Sequence, residues 1–173
     1  MKRKSVRFLL SLLLVCFSVT VAGSGDNPHP RPLMGMMSGE AIADYDSGAC
    51  VSVTGAPWQT ISSMTGNLTH FGRTEYFSTH CADPYTLALV DGEATLVSAD
   101  GDEVWLTYTA DLISPFTPPP VVLVYSVHNV VVGGTGRFEN ASGEFVSLVF
   151  VTIEDLAAPS TPLGQEIFGS ITF

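Results

Sequence analysis

The histidines, carboxylates and phenols of this chain are the groups that could do chemistry, and their spacing decides how far each can be taken. His70, His80 and His128 are imidazoles that titrate near neutrality and suit acid–base or metal work. They stand far apart, with no short ligand pair of the kind a zinc site uses, so no metal is expected from them. Asp100, Asp102 and Glu103 fall in one tight turn, and Asp91 and Glu93 flank Gly92. Such carboxylates could meet Ca²⁺, but neither cluster offers the roughly six to eight oxygens the ion takes, and turn formation already explains them. His29 with Met34, Met36 and Met37 has the donor chemistry of a Cu(I) site in loose spacing; methionines packing on a neighbouring surface explain the same residues. Ser98 and Ser147 have no nucleophile elbow around them. Val130 to Gly136 imitates the strand-and-glycine opening of a dinucleotide site, but the residues that follow are strand-like where that fold needs a helix. No cofactor is expected. What remains is a set of polar handles, His70, Tyr108 and Tyr125, set among apolar residues, as in a pocket for a small molecule.

The segments that would position these groups begin with an export signal. Lys2, Arg3, Lys4 and Arg7 precede an apolar run from Phe8 to Phe17, and small residues follow at Ala22 and Gly23. The pattern predicts a signal peptide over 1–23 and a secreted or periplasmic protein. Cys16 follows Val15, where a lipoprotein signal would carry a small residue, so lipidation is not expected. Cleavage would leave three arginines, Arg31, Arg73 and Arg137, against 17 acidic residues, a net charge of −14. That surface repels phosphate backbones, which excludes nucleic acid as a partner. Cys50 and Cys81 would be the only cysteines remaining, which predicts one disulfide in an oxidising compartment. Asn67-Leu68-Thr69 and Asn140-Ala141-Ser142 are sequons, usable only in a eukaryotic secretory pathway.

Residues 24–38 are rich in Pro, Gly and Met and read as a flexible arm; 39–173 read as one domain. Within it the apolar period is two. Strands are expected at Ala41–Tyr45, in Gly66–Phe77 with a bulge at Gly72, and at Thr86–Val90 ending in a turn at Asp91-Gly92. A hairpin follows at Glu93–Ser98 and Val104–Thr109, then strands at Val121–Val132, Phe145–Ile153 and Glu166–Phe173. Short strands with turn signals and no helical stripe predict an all-β fold, an antiparallel β-barrel of about eight strands. Val130–Val132 stops on Gly133 and Gly134, turns through Gly136, Phe138, Ala141 and Gly143, and re-emerges as a strand. Phe138 and Ala141, three apart in a single helical turn, would face the same way and plug one end of the barrel.

The run Val132-Gly133-Gly134-Thr135-Gly136-Arg137-Phe138, with Ala141 and Gly143, resembles the closing motif of dirigent proteins and allene oxide cyclases. Asn67–Arg73 and Ala99–Asp102 are similar to segments of uncharacterised secreted members of that superfamily. The resemblance spans about 39–173 and implies an eight-stranded antiparallel barrel with a small apolar cavity, often a homo-trimer. Plant members guide coupling or cyclisation of a reactive intermediate; their catalytic residues do not align here, so that activity is not transferred.

The leading expectation is therefore an exported, soluble barrel holding a small apolar ligand, with dirigent-like or isomerase activity as its catalytic form. Its cavity would be lined by Leu96, Leu106, Tyr108, Tyr125 and Phe150, with His70 as a further handle. A second reading is a structural or adhesive module whose interior is packed. A third is an outer-membrane barrel, suggested by the alternation of Ile167, Ile171 and Phe173 up to a terminal aromatic. Against it, Val121–Val124 is apolar on both faces, where a membrane strand alternates, and no stable insertion is expected.

Overall fold

A computed structural model describes residues 29–173; the predicted signal peptide and residues 24–28 of the arm lie outside the described residues. Eight strands form a closed antiparallel barrel in which each strand pairs with its sequence neighbours and β8 pairs with β1. They are β1 Arg31–Asp44, β2 Gln59–Leu68, β3 Gly72–Ala82, β4 Leu89–Val97, β5 Glu103–Leu112, β6 Val121–Gly134, β7 Gly143–Ile153 and β8 Thr161–Ile171. A short helix α1, Val51–Thr54, lies between β1 and β2, and one 3₁₀ turn, Gly136–Phe138, between β6 and β7. No helix among the described residues is long and apolar enough to cross a membrane.

Three local expectations change. The arm is β1 from Arg31 onward, paired with β8 from Arg31↔Ile171 to Ala41↔Thr161. A closed barrel leaves no edge, so β8 requires a partner along its length, and Leu33, Met37 and Ala41 supply the buried face that holds it there. Pro32 is tolerated where only β8 flanks the strand, and its carbonyl accepts from the Thr69 hydroxyl at 2.7 Å. The run Gly66–Phe77 is two strands, not one. It reverses at Thr69-His70-Phe71, with His70 and Gly72 both at positive φ, so Gly72 completes a hairpin turn and not a bulge. Conversely, Asp91-Gly92 does not end a strand. It is an irregularity inside β4, where the register with β5 shifts between Leu89 and Gly92.

The 3₁₀ turn closes one end of the barrel as the glycine-rich stretch implied. Phe138 is fully buried, stacked on Phe71 at 4.5 Å between ring centroids and edge-on to Phe173 at 4.8 Å. Ala141 is buried beside it in the same core. Gly136 has φ +54°, and a Cβ there would collide with the Asp102 carboxylate. Gly134 is extended, but its Cβ would meet the Glu103 and Phe138 carbonyls, so crowding and not backbone sign demands glycine there. The acidic turn locks this end. Asp100 accepts from Arg137 Nη1 at 2.9 Å, and Asp102 accepts from the Arg137 backbone N–H at 3.3 Å.

At the other end lie the connections 45–58, 83–88, 113–120 and 154–160. The first is pinned by the Cys50–Cys81 disulfide, which joins the residue preceding α1 to β3 with Cα atoms 5.5 Å apart.

Candidate functional site

Alternation along the strands sends one face of each inward, and at the closed end those faces fill the barrel. Leu33, Leu96, Val104, Leu106, Ile167 and Phe138 meet there with essentially no exposure. Toward the opposite end the inward residues become smaller or polar: Ala41, Ala43, Ser62, Ser78 and Ala82 replace the large aliphatics. The space they leave is a cavity of about 220 Å³, walled on its apolar side by Met64, Leu123, Val149, Val151, Ile153 and Leu163. Tyr76, His80, Tyr108, Tyr125 and Gln165 add polar groups to the lining, beside the hydroxyls of Thr60, Ser62, Ser78 and Thr161.

Burial keeps the imidazole of this set neutral and moves its phenols further from ionisation. The His80 ring Nδ1 lies 2.8 Å from the Tyr108 hydroxyl, which also reaches the Thr79 carbonyl at 3.4 Å. Burial lowers the His80 pKa from 6.5 to about 4, so the ring is uncharged at neutral pH. Burial pushes the Tyr76 phenol up to about 12, partly offset by hydrogen bonds to Ser78 and Tyr108. The Tyr108 phenol is raised further, first by burial and then by its Tyr76 neighbour, and burial also raises Tyr125. Deeper in the barrel, Asn129 and Ser147 are fully buried, and the Asn129 amide donates to Ser147 Oγ at 3.1 Å and to the Phe145 carbonyl at 3.3 Å. Gln165 Nε2 donates to the same Ser147 oxygen at 2.9 Å.

The structure brings Tyr108 and Tyr125 together in the cavity and separates the other expected residues from them. Leu96 and Leu106 point inward but sit in the packed core and do not line the cavity. Phe150 is on the outer face of β7: Val149 and Val151 point in, so the side chain between them must point out. His70 is exposed in the β2–β3 turn at the closed end, edge-on to Phe173, far along the barrel from the mouth. His128 faces outward near Glu144, at 3.4 Å, so the three histidines never converge. Among the described residues no group of three or more His, Cys, Asp and Glu could hold a metal ion.

Sequence reading missed Tyr76, Ser78, Asn129 and Gln165 as interior groups and weighed His80 only within a metal or acid–base set with His70 and His128. The signal was present in part: Asn129 is in step with Tyr125 and Val127, and His80 with Tyr76, at period two. Polar residues in step with a buried face are the ones to place inside.

His80 carries a consequence for stability. Its folded pKa lies below the unfolded value, so the unfolded chain takes up the proton first as pH falls. Stability is therefore intact above about 6.5 and lost progressively down to about 4. Burial of His80 is expected to cost about 3 kcal/mol of stability across that window. Denaturant unfolding of the parent and His80→Gln at several pH values checks this. An equally steep loss in the variant would assign the effect to other groups.

No protein-family model matches the chain, and no curated protein is similar to it.

Proposed function

We propose that the protein is an exported, soluble β-barrel that binds a small apolar molecule in the cavity at its open end. The observation that carries this is the asymmetry of the interior. One end is filled by Phe71, Phe138 and Phe173, while the other leaves about 220 Å³ behind apolar walls and neutral hydrogen-bonding groups. That combination is the usual make-up of a small-molecule site. The packed-module reading describes the closed half well but gives no reason for the small residues at the other end. Export is supported by the N-terminal sequence pattern and by the disulfide, which belongs in an oxidising compartment. Outward-facing, exposed Glu40, Glu75 and Glu93 within their strands favour water over lipid around the barrel.

Kinship with dirigent proteins and allene oxide cyclases is part of the same proposal, supported by the closed eight-strand antiparallel barrel and the glycine-bounded plug. The trimer implied by that kinship has a candidate surface. Met34, Phe168 and Val146 are neighbours across β1, β8 and β7, and all three are roughly half exposed. Sedimentation equilibrium of the mature protein decides it, and a monomer at all concentrations would remove self-association from the proposal.

Ligand binding is tested with naphthalene, an apolar probe with no hydrogen-bonding group, followed by methyl NMR. Resonances of Val149, Val151, Ile153 and Leu163 are expected to shift in a saturable way, and those of Leu33 and Leu96 to stay put. Val151→Trp, which fills the cavity from its wall, is expected to abolish the shifts. Absence of saturable shifts in the parent would refute the binding reading.

A further inference from the structure

We propose that the cavity selects a neutral apolar molecule carrying a hydroxyl, which is held by the outer atom of the Gln165 carboxamide. The proposal rests on the cavity being a binding site and adds what that site recognises. Gln165 is 2% exposed and lines the cavity, yet only one end of its amide is satisfied. Nε2 donates to Ser147 Oγ at 2.9 Å, whereas Oε1 is buried with no partner. A buried acceptor left without a hydrogen bond is costly, and native interiors rarely contain one without a reason.

The inner end of the amide is held within the protein, at Ser147. Ser147 is held from its far side by Asn129, whose own amide is fixed on the Phe145 carbonyl. A chain of buried hydrogen bonds therefore fixes the inner end of the amide and leaves the outer atom of this cavity-lining residue unpaired. A hydroxyl meets that atom in either orientation of the amide, because it both donates and accepts. A ketone or ether can only accept, so it meets that atom only in the orientation that turns Nε2 outward.

Charge narrows the class further. No Arg, Lys, Asp or Glu lines the cavity. Arg31 and Arg137 lie at the closed end, over the rings of Phe173 and Phe138 at 4.6 and 4.8 Å. Arg73 lies at the start of β3, at the same end. His80 is kept uncharged by burial, so it supplies no cation either. A carboxylate or ammonium ligand would be desolvated there without a counter-charge, at a cost that apolar contact does not offset. Apolar alcohols and phenols are the neutral class that satisfies Gln165 in either orientation of its amide.

The test compares naphthalene, 1-naphthol and 1-naphthoate at neutral pH by methyl NMR titration. In the parent, 1-naphthol is expected to bind about tenfold tighter than naphthalene, and 1-naphthoate more weakly than either. In Gln165→Met the preference for 1-naphthol over naphthalene is expected to vanish while naphthalene binding persists, which also shows that the variant is folded. A second readout uses the parent alone: the Gln165 side-chain amide resonances should move further with 1-naphthol than with naphthalene. Equal affinities for naphthalene and 1-naphthol in the parent, an unchanged preference in Gln165→Met, or an unmoved Gln165 amide at saturation would each overturn the proposal and leave the binding site standing. Failure of all three probes would overturn both.

Discussion

Phe138→Ala is expected to destabilise the barrel by about 3–5 kcal/mol, the usual cost of deleting a fully buried aromatic ring. The ring is the centre of the closed end: it stacks on Phe71, meets Phe173 edge-on and carries the Arg137 guanidinium over its outer face. Removing it deprives two further aromatic rings of their packing partner. For a domain of this size the melting temperature should fall by roughly 10 °C. Gly136→Val attacks the same element by another route. It forces a β-branched residue to φ +54° and drives its Cβ into the Asp102 carboxylate, which itself anchors the Arg137 backbone. A loss of about 1–3 kcal/mol is expected there. Thermal unfolding of both variants beside the parent measures the effect. Near-parental melting in both would mean that the 3₁₀ turn is a pliable loop and that the aromatic plug does not hold the fold together.

Replacing both cysteines by serine is expected to cost about 3–4 kcal/mol, because the bridge closes a loop with a sequence separation of 31 in the unfolded chain. The consequence is also local. Cys50 precedes α1 in the connection that spans 45–58, and Cys81 follows His80 directly, so the bridge ties the loop at the open end to the strand that carries the cavity imidazole. Denaturant unfolding of Cys50→Ser/Cys81→Ser gives the stability term. Intact mass after alkylation without reduction gives the bond itself, and two alkylated thiols in the denatured parent would contradict it. If the open end is held in shape by this bridge, the double variant should also bind naphthalene more weakly than the parent.

Alternation at period two was enough to establish a chain of strands, since a half-buried strand writes its two faces directly into the sequence. The glycine-rich stretch was equally readable. Gly136 needs a positive φ, Gly134 needs the absence of a Cβ, and Phe138 needs a place to be buried, and all three requirements are local. The disulfide was readable because Cys50 and Cys81 are the only cysteines outside the predicted signal peptide.

The faces were harder to assign, for a physical reason that Phe150 illustrates. Where both faces of a strand are apolar, as in Val149-Phe150-Val151, composition no longer distinguishes in from out, and only the pairing of Val149 with Gln165 and Val151 with Leu163 settles it. Arg31–Ser38 looked like an arm because proline, glycine and methionine are poor strand formers. It became β1 because β8 offered an unpaired edge, a non-local demand invisible in the segment itself. The all-β class, the plugged end and the bridged cysteines were thus legible along the chain, each a matter of local period, backbone sign or simple pairing. Which residues share the cavity was not. His80, Tyr108 and Gln165 come from three separate strands, and closure of the barrel is what brings them into one chamber.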